Sequence, residues 1–226
     1  MKKKPDIIAV VPVRAGSKGL PGKNIRTLAG KPLYIHAVLQ GLRFADKCII
    51  TTDIPEILSS SPPDRAFILA RSANLSADLT TMSEVINDVI LKLKLTNETI
   101  LLLQATSPLR SDDDVRSTLD LYAKNTYEMV MTVAQTGSEV LKHGTITGQK
   151  YLPISNPKYC FENRQNLPKV FCHNGAVYVF NANTFVTHGS LPYENIGTVV
   201  MPKISSLDID TLAQFEVAEK YFLAKD

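Results

Sequence analysis

Over its first hundred residues the chain alternates short, mainly apolar runs with stretches of helical periodicity, and few folds accommodate that alternation. Ile7–Val11, Lys47–Thr51, Ala66–Ala70 and Thr99–Leu103 read as strands. A helix is predicted over Leu33–Phe44, after Lys31-Pro32, and another over Thr81–Leu95. In the second, Met82, Val85, Ile86, Val89, Ile90 and Leu93 recur at the spacing of one helix face, and Thr81-Met-Ser-Glu84 is a capping box. Further on, Asp112 is expected to cap a helix running to about Ala123, and Glu128–Val133 and Asn174–Phe180 read as strands. A last helix follows Asp208-Ile-Asp210, with Leu212, Phe215, Ala218 and Phe222 as its buried stripe. Strands without polar alternation, separated by helices, imply an α/β fold: a mostly parallel, Rossmann-like sheet with helices on both faces. Ligands of such sheets bind beyond the carboxyl ends of the strands.

The segment 135–170 breaks the alternation. Gly137, Gly144, Gly148, Pro153, Pro157 and Pro168 mark it as hairpins and loops. A stretch of that length inside a compact domain is usually functional, and it is expected to be a lid, a dimerisation arm or both. The remainder, within 1–226, is expected to form a single domain.

Composition excludes several classes. The formal net charge of +3 is too small to argue for nucleic acid, and Lys2-Lys3-Lys4 supplies much of it as a solvated tail. Pro12 and Arg14 cut the first apolar run too short for a signal peptide. No apolar run reaches membrane-spanning length, so no membrane partner is expected. Cys48, Cys160 and Cys172 show neither disulfide nor zinc spacing, and a reducing, cytoplasmic setting is expected.

The loop after the first strand carries the clearest chemistry. Pro12 to Asn24 contains Gly16, Gly19 and Gly22 with Arg14, Lys18 and Lys23. Glycines let the backbone turn sharply and aim N–H groups at one ligand, and the cations favour a polyanion such as a triphosphate. Five residues separate Gly16 from Gly22 and Asn24 follows Lys23, so this is not a Walker A loop; nor is it a dinucleotide fingerprint. An ordinary glycine-rich surface loop with solvated lysines is the alternative.

Asp208 and Asp210 flank Ile209. In extended backbone both carboxylates point to one face and the isoleucine to the other. Two such oxygens suit Mg²⁺ shared with substrate phosphates. The alternative is that Asp210 caps the last helix and Asp208 lies on the surface. Leu101 to Arg110 is a buried strand turning into a polar loop, where Gln104, Thr106, Ser107 and Arg110 offer donors and acceptors or simple turn chemistry. Asn174-Gly175 reads equally as a turn, and Arg164 as a surface cation. His36, in a helix, is expected to be structural, and no nucleophile motif suggests covalent catalysis.

Four motifs, in order along the whole chain, resemble the CMP-sialic acid synthetases (acylneuraminate cytidylyltransferases): Arg14-Ala-Gly-Ser-Lys-Gly-Leu-Pro-Gly-Lys-Asn24, Leu103-Gln-Ala-Thr-Ser-Pro-Leu-Arg110, Asn174-Gly-Ala-Val-Tyr178 and Asp208-Ile-Asp210. The sister family acting on the eight-carbon acid KDO shows a different first loop. The resemblance implies a nucleotidyltransferase that joins CMP from CTP to a nine-carbon 2-keto sugar acid and releases pyrophosphate. It implies that Arg14, Ser17 and Lys23 hold the triphosphate, that Asn24 and Arg71 contact the nucleoside, and that Asp208 and Asp210 hold Mg²⁺. Catalysis would rest on Arg14, Lys23 and the two aspartates. Gln104, Lys142, Arg164, Asn174 and Tyr178 would face the sugar acid, and 135–170 would be the arm of a homodimer. Ala105 stands where relatives often have Pro. Cys172-His173 precede the third motif where several carry Arg, and His173 replaces that contact only when protonated.

Competing readings are a cytidylyltransferase for KDO, another sugar-nucleotide pyrophosphorylase using a sugar 1-phosphate, and a nucleotide-binding protein without turnover. The sugar-phosphate enzymes show a Gly-x-Gly-Thr-Arg-like core, which this sequence lacks.

Overall fold

A computed structural model describes residues 6–224. The lysine tail 2–4 lies outside them. In chain order the strands and helices are β1 (Ile7–Val13), β2 (Thr27–Leu28), β3 (Lys31–Pro32), α1 (Leu33–Phe44), β4 (Lys47–Thr52), α2 (Pro55–Leu58), β5 (Ala66–Ala70), α3 (Met82–Leu93), β6 (Thr99–Leu103), α4 (Asp112–Tyr122), β7 (Met129–Thr136), β8 (Gly144–Thr147), β9 (Lys150–Pro153), β10 (Val170–Asn181), α5 (Ala182–His188), β11 (Ile196–Met201) and α6 (Leu212–Leu223).

Seven strands form the main sheet in the order β11-β7-β10-β6-β1-β4-β5. The pairs β1–β4, β4–β5, β1–β6 and β7–β11 are parallel. β10 runs antiparallel to both neighbours, β6 and β7. The chain winds from β1 to β4 and β5 on one side, then crosses to β6 on the other. Strand order therefore reverses between β1 and β6, and a crevice opens beyond their carboxyl ends. The glycine-rich loop leaves β1 at that point and the polar loop 104–110 leaves β6.

The central strands of the sheet are buried on both faces. Val11, Val13, Ile50, Leu101, Leu103, Val177 and Val179 pack with α1 and Val115 of α4. Ile8, Val10, Ile100, Leu102 and Phe180 pack on the opposite side with Ile86, Val89 and Ile90 of α3 and Phe185 of α5. Gly41 lets α1 lie against β1, since a Cβ there would meet the Ala9 methyl carbon at 2.8 Å.

A third apolar cluster bears directly on function. Leu20 from the glycine-rich loop, Leu109 from the loop after β6 and Ile209 from between the two aspartates pack with Leu28, Leu33, Phe215 and Ala218. Three of the four motifs thus each contribute one buried side chain to a shared anchor.

Several expectations are corrected. Ser111, not Asp112, caps α4: its hydroxyl accepts from the Asp114 N–H, and Asp114 reaches back to the Ser111 N–H. Asp112 is free to bind Arg43 and Gln40 instead. Thr211, not Asp210, caps α6, because Gln214 completes its capping box. Leu212 is exposed, since α6 meets the apolar cluster only from Phe215 onward. Asn174-Gly175 is not a turn ahead of a strand. It lies within β10, where the register with β7 shifts between His173 and Tyr178 and Gly175 takes φ +73°. The capping box at Thr81 and Glu84 is present as read. The segment 135–170 holds the β8–β9 hairpin and short helical turns.

Ile209 is fully buried. Ile209→Ala is expected to cost about 3 kcal/mol of unfolding free energy, as large-to-small core changes do. Urea denaturation measures this; a loss under about 0.5 kcal/mol would show that the cluster does not anchor the aspartate segment.

Candidate active site

The crevice at the reversal point is a cavity of about 360 Å³ lined by Pro12, Arg14, Ser17, Lys18, Gly19, Lys23, Asn24, Arg71, Met82, Gln104, Thr106 and Asp210. Four cations and one carboxylate line it. Its lining comes almost entirely from the loops that leave the strands, with Pro12 of β1 and Met82 of α3.

The loop is fixed at its base. The Ala15 N–H donates to Asp53 Oδ1 at 2.9 Å, so the residue after β4 holds the loop after β1. Asn24 Nδ2 donates to the Arg14 carbonyl at 2.9 Å. The Asn24 Oδ1 is buried in the cavity wall without a partner, an acceptor left for a ligand donor. Gly22 adopts φ +65°, which turns the chain so that Lys23 points back across the crevice. At Gly19 any Cβ would run into the Asp210 carbonyl oxygen, so only glycine lets the loop touch the aspartate segment.

Lys23 Nζ donates to the Ile209 carbonyl at 2.6 Å and to Asp210 Oδ1 at 2.8 Å. An ammonium has three donors, and two are used here. The lysine side chain is 12% exposed and the Asp210 side chain 65%. The cation is thus held rigidly while the carboxylate keeps access to a ligand. Asp208 accepts from Thr106, but burial, chiefly, and the neighbouring Asp210 charge push its carboxyl above the usual range, against the pull of Lys23. Tyr178, partly buried, is also pushed up, first by burial and then by the Asp208 charge.

Arg71 closes the far wall. Its Nη2 donates to the Thr51 carbonyl at 2.9 Å. Burial lowers its pKa, opposed by Asp53 and reinforced by Arg14. Arg14 and Lys18 converge on Asp78 at 3.1 and 2.6 Å, and those contacts hold Asp78 below the usual carboxylate range. Asp78 thus takes up both cations of the glycine-rich loop that face it. No local sequence signal marks it, because its partners lie some sixty positions away.

Seven anticipated residues line one cavity: Arg14, Ser17, Lys23, Asn24, Arg71, Gln104 and Asp210. Asp208 and Tyr178 sit beside it. Three lie elsewhere. Asn174 spends its amide internally, accepting from Thr132 Oγ1 at 2.7 Å and from the Ala176 N–H at 3.1 Å, and donating to Ser206 Oγ at 2.9 Å. Lys142 donates to the Glu162 carbonyl at 2.6 Å, and Arg164 pairs with Glu139 at 3.8 Å, both within the 135–170 segment. Cys172 and His173 line a separate apolar groove of about 720 Å³ with Met131, Val133, Phe171 and Val200. His36 is structural, bonded to the Leu28 carbonyl at 2.8 Å and packed on Phe222. From sequence, Thr106 reads as a polar residue of the loop after β6 and Met82 only as part of a buried helix stripe; Asp78 is not singled out by sequence.

A doubly wound sheet with a cationic crevice at its switch point, fronted by a carboxylate, defines an α/β protein with a site for a phosphorylated ligand. A family model, cytidylyltransferase, matches residues 8–185, and the chain belongs to that family. It is 30% identical to the CMP-N,N'-diacetyllegionaminic acid synthase of Legionella pneumophila, over 95% of each chain. It is 29% identical to the N-acylneuraminate cytidylyltransferase of Streptococcus agalactiae serotype III, over 92% of this chain but 51% of that one. The chain thus spans nearly all of the first relative and about half of the second. A structure of CMP:2-keto-3-deoxy-manno-octonic acid synthetase complexed with CTP shares the fold, with a TM-score of 0.68 over 98% of this chain and 100% of that one at 16% identity.

Asp78→Asn removes the internal competitor for Arg14 and Lys18. Triphosphate nucleotides are expected to bind about threefold more tightly at low salt, with the gain shrinking toward 1 M salt. Calorimetric titration at both salts measures it; weaker binding would show that Asp78 supports the phosphate site rather than occupying it.

Proposed function

We propose that this cytidylyltransferase transfers CMP from CTP to a nonulosonic, sialic-type acid. The observation that carries the reading is the meeting of Lys23 with the Asp208–Asp210 segment across the glycine-rich loop. Lys23 bonds Asp210 and the Ile209 carbonyl, with Asp208 two residues before Asp210, and this supports a polyanion and metal site there. In the reaction, the anomeric hydroxyl oxygen attacks the α-phosphorus. That P–O bond forms, the α–β bridge bond breaks, pyrophosphate leaves, and the hydroxyl proton passes to solvent. There is no covalent enzyme intermediate, so the protein contributes positioning and charge neutralisation.

Each side chain has one task in this scheme. Arg14, Ser17 and the remaining donor of Lys23 bind the triphosphate. Asn24, through its unpartnered carbonyl oxygen, and Arg71 hold the nucleoside. Gln104 and Tyr178 face the sugar acid. Asn174 holds the β10 bulge and the 202–207 segment rather than the acceptor itself.

The donor set fits Mg²⁺. Asp208 and Asp210 offer oxygen only, and the described residues contain no cluster of three or more His, Cys, Asp or Glu that would hold a metal unaided. A hard cation that takes few carboxylates plus water and phosphate oxygens matches that set. When bound, Mg²⁺ would neutralise phosphate charge and lower the pKa of a coordinated hydroxyl.

The 135–170 segment is proposed as the arm of a homodimer. Ile146, Ile154 and Phe161 are exposed on it, an apolar surface suited to a second copy. Lys142 and Arg164 ride on the same arm, away from their own chain's crevice, and are proposed to serve the partner's sugar-acid site. Arg164 suits its carboxylate, which a guanidinium binds in a fork. The three free cysteines and the lack, among the described residues, of any helix able to cross a membrane fit the proposed cytoplasmic setting.

Pyrophosphate release from CTP and Mg²⁺ is expected with at least one of N-acetylneuraminic, legionaminic or pseudaminic acid and not with sugar 1-phosphates. The reverse pattern would overturn the reading. Asp210→Asn is expected to lower kcat roughly a hundredfold or more with the fold retained; full activity would remove the carboxylate role. Lys23→Ala should raise the KM for CTP about tenfold, more than that for the sugar acid; equal rises would contradict its assignment.

A further inference from the structure

Arg110 lies in the polar loop after β6, yet it does not enter the crevice. It is 4% exposed and turned into the protein. Its Nε donates to Gln40 Oε1 at 2.7 Å. Its Nη1 donates to the Ala176 carbonyl at 2.7 Å and to the Gln104 carbonyl at 3.2 Å. Gln40, itself buried on α1, returns a bond from Nε2 to the Arg110 carbonyl at 3.1 Å and another to Asp112 Oδ1 at 2.9 Å. Arg43 closes the far side of Asp112 with bonds at 2.6 and 2.8 Å.

Burial of a guanidinium is expensive, and it draws the Arg110 pKa down to about 9 despite Asp114 and Asp112 nearby. What the cost secures is a tie among three separate chain segments. Gln104 lines the crevice; Ala176 follows Gly175 in the β10 bulge; Gln40 fixes both to α1. A Cβ at Gly175 would lie 3.9 Å from Gln104 Cγ, so the bulge and the Gln104 side chain are already in near contact. Tyr178 lies two residues beyond Ala176 on the same strand. The glycine-rich loop takes no part in this tie, being held by Asp53 and Asn24.

We propose that Arg110 is a positioning residue for the acceptor: its guanidinium locks the Gln104 carbonyl to the Ala176 carbonyl and so sets Gln104 and Tyr178 at the spacing the sugar acid requires. The inference rests on the proposed role of Gln104 and Tyr178 in binding the acid. It assigns Arg110 and Gln40 no contact with either substrate. Misplacement of binding groups by an ångström costs large factors in rate, so the effect reads out as a split between the two substrates.

The test uses the full-length enzyme as Arg110→Lys, which keeps the charge but loses the fork, and as Gln40→Met, which leaves Arg110 in place without its Nε partner. In both, the KM for the sugar acid is expected to rise about tenfold with a fall in kcat, while the KM for CTP stays within about threefold. Amide hydrogen exchange is expected to quicken at 104–110 and 174–177 and to hold at the parental rate across α3. Equal KM increases for both substrates, parental kinetics, or exchange that accelerates uniformly would overturn the proposal. Exchange needs no turnover. A parent enzyme inactive on every sugar acid would therefore refute the functional reading, and the exchange pattern would still decide for or against the Arg110 tie.

Discussion

The crevice depends on one apolar contact more than on any polar one. Leu20, Leu109 and Ile209 come from three loops with no sequence proximity, and they meet in a cluster closed by Leu33 and by Phe215 of α6. Polar loops alone would not hold Lys23 within bonding distance of Asp210, because an exposed ion pair is worth little against the entropy of ordering it. Burial of three large aliphatic side chains supplies the stabilisation, at about 25 cal/mol per Å² of apolar surface removed from water. The geometry of the crevice follows from where the oily residues sit.

On that platform the charges divide by task. Lys23 is largely shielded and held by two bonds, so it is a fixed charge. Asp210 is exposed and meets the lysine through one carboxylate oxygen. Asp208 is partly desolvated, and its carboxyl is held above the usual range by the cost of burial first and by the neighbouring Asp210 charge second. A cation shared with phosphate would relieve that cost. Arg14 and Lys18 are paired with Asp78.

Most of the scaffold could be read from the chain. The strand and helix runs over residues 7–103 follow from unbroken apolar segments and from one six-residue helical stripe on α3. The glycine spacing marked a polyanion loop, and the Asp-Ile-Asp alternation put two carboxylates on one face and an isoleucine on the other. What escaped was of two physical kinds. Where two residues compete for one role, the local pattern does not name the winner: Ser111 rather than Asp112, and Thr211 rather than Asp210, take the caps because Asp114 and Gln214 complete their boxes. Where a side chain's partners are distant in sequence, its direction is invisible. Arg110 points inward because carbonyls of Gln104 and Ala176 await it. Asn174 is consumed by Thr132 and Ser206. Asp78 finds two cations across a gap of some sixty residues.

The central claim is that the hydroxyl of a sugar acid attacks the α-phosphorus of CTP. The direct measurement follows isotopic label from CTP carried separately at the α- and γ-phosphates, with Mg²⁺ and the accepted acid. The account predicts that α-label appears in the CMP-sugar and γ-label only in pyrophosphate. The appearance of α-label in a diphosphate, or of γ-label in the sugar product, would contradict it.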